Sequence, residues 1–125
     1  MPEASFTGGT GSARLAQPSP VAWEGGMCER GPDDAWLALN IGFPNGTEYF
    51  GLVVGRSAYT PDATRTARGG GTFGEDDGVI TWRTAGVAAN VAPDGLVVEV
   101  ARDLALGTFT GRLADGTPVQ GSFAC

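Results

Sequence analysis

Histidine and lysine are both absent from this sequence of 125 residues. Without His, the commonest general base and the commonest nitrogen ligand for a metal are missing. Without Lys there is no Schiff-base amine and no phosphate-gripping side chain of a P-loop. Cations are scarce altogether: eight Arg stand against fourteen Asp and Glu, for a net charge of −6. Such a surface repels a phosphate backbone, so nucleic acid is a poor partner. No run approaches the roughly 18 apolar residues of a membrane-spanning helix, and Met1 to Ser5 lacks the basic and apolar stretches of a secretory signal. Asp-Thr-Gly and Gly-x-Ser-x-Gly are missing too, so a carboxylate-based hydrolase remains only as an outsider.

Cysteine occurs twice, as Cys28 and Cys125. No Cys-x-x-Cys spacing suggests zinc or redox chemistry, so the pair is expected to form one structural disulfide. In the chain-entropy account such a long loop stabilises on the order of 4 kcal/mol. A disulfide in turn places the chain outside the reducing cytoplasm: secreted, periplasmic or at the cell surface.

What is abundant is glycine, 21 residues of it, in a chain that is 42% hydrophobic and 18% charged. Asx-Gly pairs punctuate segments that alternate apolar with polar residues, which is an all-β pattern. Strands are expected at Ser5 to Gly8, Ala13 to Ala16, Val21 to Cys28, Trp36 to Phe43, Thr47 to Gly55, Gly71 to Phe73, Val79 to Thr84, Val87 to Ala92, Leu96 to Arg102, Thr108 to Leu113 and Pro118 to Ala124. One helical turn is expected near Arg102 to Leu106. Residues 1–125 read as a single domain, with 1–4 a disordered or expression-derived start. The fold class is one antiparallel β-sandwich or flattened barrel of about eight to ten strands. Its core is expected to hold Leu37, Leu39, Ile41, Leu52, Val54, Ile80, Trp82, Val98, Val100, Phe109, Val119 and Phe123. Leu37, Leu39, Ile41 and Phe43 form one inward face, which leaves Trp36, Ala38 and Asn40 outward.

Three turns are expected to close hairpins. A three-residue loop, Ala114-Asp115-Gly116, pairs Gly111 with Val119 and puts Gly116 at a left-handed position. Pro44-Asn45-Gly46 and Pro93-Asp94-Gly95 read as two further hairpins with two- or three-residue loops.

The candidate binding residues are Trp36, Tyr59, Arg65 and Arg68, because Trp, Tyr and Arg carry most interface energy. Tyr59 and the two Arg sit on a long connection, Arg56 to Gly70, where irregular loops are often functional. The alternative for Arg65 and Arg68 is local neutralisation of Glu75, Asp76 and Asp77. Those three carboxylates are also weak candidates for a calcium site, though without EF-hand spacing. Gly69 to Gly74 matches Gly-x-Gly-x-x-Gly, but it leads into an acidic turn and a strand, so a flexible linker is the better reading. No cofactor is implied. The functional expectation is a non-catalytic binding or structural module whose partner is an unidentified protein or glycan. A calcium-dependent or carbohydrate-binding module is the alternative.

The early strand ending in Cys28, the apolar strand Ala35 to Gly42, the Gly-rich middle and the last strand Val119 to Cys125 form a layout spanning nearly the whole chain. It resembles small bacterial surface lipoproteins of the mycobacterial 19 kDa antigen kind. The resemblance implies a β domain with one disulfide, no catalytic role and a lipid anchor lying outside this sequence.

Overall fold

The computed structural model describes residues 5–43 and 45–125, so the expectation for 1–4 lies outside the described residues. Ten strands form one antiparallel sheet: β1 (Ser5–Gln17), β2 (Val21–Arg30), β3 (Trp36–Gly42), β4 (Tyr49–Gly55), β5 (Gly71–Phe73), β6 (Gly78–Thr84), β7 (Val87–Asn90), β8 (Val97–Val100), β9 (Leu106–Arg112) and β10 (Pro118–Ala124). Their order is β5-β8-β9-β10-β1-β2-β3-β4-β6-β7. The sheet curls into a half-barrel. An isolated bridge between Val91 and Leu113 and a bond from Ala92 N to Arg112 O (2.7 Å) draw its two flanks together at one end. The all-β class with one disulfide is therefore as the sequence indicates.

Period-2 alternation sends one set of side chains into the concavity. Every residue expected in the core is buried, except that Phe43, assigned to the same inward face, is 76% exposed. The cause is Gly42: its φ of +79° ends the extended run one residue early, and Phe43 turns outward. Trp23, ahead of the Gly25-Gly26 pair, packs inside, with its ring 5.2 Å from Phe50, which lies 5.8 Å from Phe109. Phe109 rests over Gly121 and Phe123 over Gly107, where any Cβ would overlap the rings.

The disulfide joins Cys28 on β2 to Cys125 at the end of β10. The strand between them, β1, passes beneath the bridge at Gly11, whose missing side chain leaves room for Cys28 Sγ. The two cysteines are 97 residues apart, so the cross-link closes most of the chain and holds the early and late strands of the sheet together.

The last hairpin follows the expected register, with Gly111 opposite Val119 and Thr110 opposite Gln120, and Gly116 has φ +89°. Asp115 accepts a bond from Thr117 N (2.9 Å), and hydrogen bonding from Thr117 lowers its carboxyl pKa. The other two hairpins differ from expectation. Between β3 and β4 the first pair is Gly42 with Tyr49, so the connection is longer than two or three residues; Pro44 of the expected turn lies outside the described residues. Val87 to Ala92 and Leu96 to Arg102 do not pair at all. The Pro93-Asp94-Gly95 turn is present, but it carries the chain from β7, which pairs with β6, across to β8, which pairs with β9 and β5. The helical turn expected at Arg102 to Leu106 is a β-turn closed by Leu104 N to Ala101 O (2.9 Å). Buried Leu104 takes φ +61°, which a right-handed turn does not allow. Among the described residues the single helical segment is instead a 3-10 turn at Pro32–Asp34.

Candidate functional site

On the outer face of β2, β3, β4 and β6 the pairing registers lay side chains in rows. Val79, Val53, Ala38 and Glu29 make one row; Thr81, Gly51, Asn40 and Met27 make the next. The two central strands thus carry Ala38 and Gly51, the smallest residues, at the middle of the face. Larger residues surround them. A groove of about 510 Å³ results, walled by Trp36, Tyr49 and Tyr59. That is within the size range of small-ligand sites.

Each aromatic has an identifiable support. The tip of Tyr49 lies over Gly51, and its hydroxyl donates to Asn40 Oδ1 (3.0 Å). Trp36 lies over Gly31, where a Cβ would overlap its pyrrole ring. Rings laid over glycines in this way fill the space that the missing side chain leaves open. Tyr59 comes from the long loop. Buried Thr60 anchors it, donating from Oγ1 to Gly55 O (2.5 Å) and accepting from Ser57 N (3.0 Å). Tyr59 N donates to Ser57 Oγ (3.1 Å), so the turn holds a 77% exposed ring above the groove.

The polar content is small. Asn40 spends its amide oxygen on Tyr49, and its Nδ2 has no partner among the described residues. Thr81 Oγ1 donates to Ala89 O (3.1 Å), which leaves its lone pairs as acceptors. Glu29 is the one charged side chain among the described lining residues, and no ion pair or hydrogen bond to a described residue holds it. Burial, and secondarily the nearby Tyr59, push the Tyr49 phenol above its ordinary 10.0. It is neutral at physiological pH and acts as a hydrogen-bonding group, not a base.

Of the residues singled out from sequence, Trp36 and Tyr59 come together here, while Arg65 and Arg68 lie elsewhere. Arg65 donates to Thr72 O and Gly70 O, and its guanidinium stands 4.6 Å over the Phe73 ring. It covers the carbonyls of the β5 edge, one end of the sheet. Arg68 pairs with Asp33 at 3.3 Å on the surface. Neither pairs with Glu75, Asp76 or Asp77. Asp77 instead accepts from Thr64 N (3.0 Å), stitching the long loop to the turn before β6. Among the described residues, no three His, Cys, Asp or Glu gather where they could hold a metal ion. Gly69 to Gly74 runs through a turn into β5 with no helix following it.

Sequence reasoning missed Tyr49, Gly51, Glu29, Val79 and Thr81. Asn40 and Ala38 were assigned outward with Trp36, and that outward set was the available signal. No family model, no curated protein and no solved structure matches this chain.

Proposed function

We propose that this is a non-catalytic extracytoplasmic binding module that takes a glycan in the outer groove of β2, β3, β4 and β6. The carrying observation is the set of three aromatic side chains around the groove, two of them seated on glycines: Tyr49 on Gly51 of β4 and Trp36 on Gly31, just past the end of β2. A pyranose presents C–H bonds on its faces and hydroxyls at its rim. The C–H faces suit aromatic π-faces, and the hydroxyls suit the Asn40 Nδ2 and the Glu29 carboxylate, neither of which has a partner among the described residues. Size favours this over a protein partner: a stable protein interface covers about 800 Å² on each side, whereas the feature here is one concave groove.

The groove has one carboxylate, Glu29, among its described lining residues. Glycoside hydrolysis ordinarily needs two, so binding without turnover is favoured over the hydrolase alternative. A calcium-dependent module gets no comparable support from the acidic turn. The Cys28–Cys125 disulfide, with no described helix long and apolar enough to cross a membrane, is compatible with an extracytoplasmic location. Attachment to a surface through a lipid, as in lipoproteins of the mycobacterial 19 kDa antigen kind, belongs to the same proposal and rests on the resemblance alone.

Tryptophan fluorescence tests the site directly, because Trp23 and Trp82 are buried and Trp36 is the partly exposed indole. Titration with N-acetylglucosamine, glucose and mannose trisaccharides should give a saturable change with at least one. That change should disappear in Tyr59→Ala, which keeps the Trp36 reporter, while the variant melts within about 2 °C of the parent. Absence of any saturable change across the three sugars would reject the glycan reading.

A further inference from the structure

We infer that the groove sorts sugars by charge, favouring an unacetylated amino sugar over a neutral one and rejecting a uronic acid, with Glu29 as the selecting residue. This rests on the glycan reading above. Glu29 stands at the end of the row Val79, Val53, Ala38, half-buried beside the aromatic walls, with no cation set against it among the described residues.

The neighbouring Arg side chains are committed elsewhere. Arg30 follows Glu29 in the chain and therefore points to the opposite face, where it donates to Asp103 O and lies 3.9 Å from Asp34 Oδ2. Arg56 donates to Thr64 O (3.5 Å) and Arg83 to Gly86 O (2.9 Å). None of the three lines the groove.

A carboxylate in a concave site with no cation beside it among the described residues is matched best by a ligand cation. The surroundings act in the same direction. Aromatic faces carry the negative end of the ring quadrupole and attract an ammonium group. The chain as a whole carries −6, which favours cations and disfavours anions at every surface concavity. A 2-amino sugar keeps the apolar ring face that stacks on Trp36 or Tyr49 and adds a charge-assisted bond to Glu29. A uronic acid keeps the ring face and adds a second carboxylate, which Glu29 repels.

The test compares four probes on the intact chain at low salt: trisaccharides of glucosamine, N-acetylglucosamine and galacturonic acid, and a lysine tripeptide that offers an ammonium without a sugar ring. The glucosamine trisaccharide should bind about tenfold more tightly than its N-acetyl counterpart, and the galacturonate about tenfold more weakly. Raising the salt should shrink both differences. In Glu29→Gln, which keeps shape and removes charge, the differences in affinity among the three sugars should shrink to within about twofold. Equal affinities in the parent protein would overturn the inference and leave the glycan reading standing, as would an amino-sugar preference that survives Glu29→Gln. Binding of the lysine tripeptide as tightly as the glucosamine trisaccharide would overturn the sugar assignment. No saturable binding of any sugar would end both.

Discussion

Two regions of the sheet use the same device on opposite faces. At β9 and β10, Phe109 lies on Gly121 and Phe123 on Gly107, inside the half-barrel; at β2 to β4, Tyr49 lies on Gly51 and Trp36 on Gly31, outside it. Inside, the far wall closes over the rings: Phe109 touches Phe50, and both are essentially inaccessible. Outside, the rings border an open groove. An aromatic seated on glycine is therefore a packing unit in one place and a presented surface in the other. The difference lies in what covers the ring, not in how it is supported.

The largest expected contrast comes from deleting the rings. Phe109→Ala should cost about 3–5 kcal/mol, because it empties a site walled by Phe50 and the Gly121 strand. Tyr59→Ala, at a ring that is 77% exposed, should cost less than about 1 kcal/mol. Urea unfolding of both variants measures this, and similar losses would break the comparison. The next contrast adds a methyl group beneath a ring. At Gly121 a Cβ meets both the Phe109 ring and Arg14 O, so Gly121→Ala should destabilise by about 2 kcal/mol. At Gly51 it meets the free end of Tyr49, which can swing aside at the loss of its bond to Asn40. Gly51→Ala should then cost about 1 kcal/mol or less while weakening sugar binding about tenfold.

Titration reads the outer region more gently. The folded chain holds Tyr49 protonated beyond its ordinary 10.0. The stability this contributes is complete below pH 10 and is lost as pH rises through the higher folded-state value. Ultraviolet titration of Tyr59→Phe, which leaves Tyr49 as the sole tyrosine, should place the Tyr49 midpoint above 10.0, with burial as its cause. A lower midpoint in Gly51→Ala on that background would confirm that the seat on Gly51 is what buries the phenol. The smallest effects belong to the arginines. Arg65→Ala, losing its cation–π contact and its cover of the β5 edge, should cost about 1 kcal/mol. Arg68→Ala breaks one exposed pair with Asp33, 69% and 80% accessible, and should cost about 0.5 kcal/mol or less. Sugar affinity should be unchanged in both, as measured by calorimetry.

Alternation made most of the core legible, because Leu37, Leu39 and Ile41, then Leu52 and Val54, then Ile80 and Trp82 each keep period 2 over a whole strand. The last hairpin was legible for a related reason: a three-residue loop keeps Phe109 and Phe123 on a common face, whereas a two-residue loop mixes the faces. Phe43 was misplaced because a single left-handed glycine ended the period. The partner of β7 was misread because a turn signal reports that the chain bends, not whether the flanking segments bond to each other. The groove was half legible. Trp36 and Tyr59 drew notice as residue types, but Tyr49, Gly51 and Glu29 matter through registers between strands distant in sequence. Gly51 in particular looks like a weak point of a strand until a ring is found lying on it. The placement of Arg65 away from the groove was not legible, because composition gives no sign that its guanidinium contacts two backbone carbonyls and Phe73.

The most direct test of the central claim is an amide and side-chain NMR titration of the ¹⁵N-labelled chain with the N-acetylglucosamine and glucosamine trisaccharides. The account predicts saturating shifts of the Gly51 amide, the Asn40 side-chain amide and the Trp36 indole N–H, with the Trp23 indole and the outer face of β9 and β10 unmoved. Shifts centred on Thr110, Arg112 and Gln120, or none at either face at saturating sugar, would contradict it.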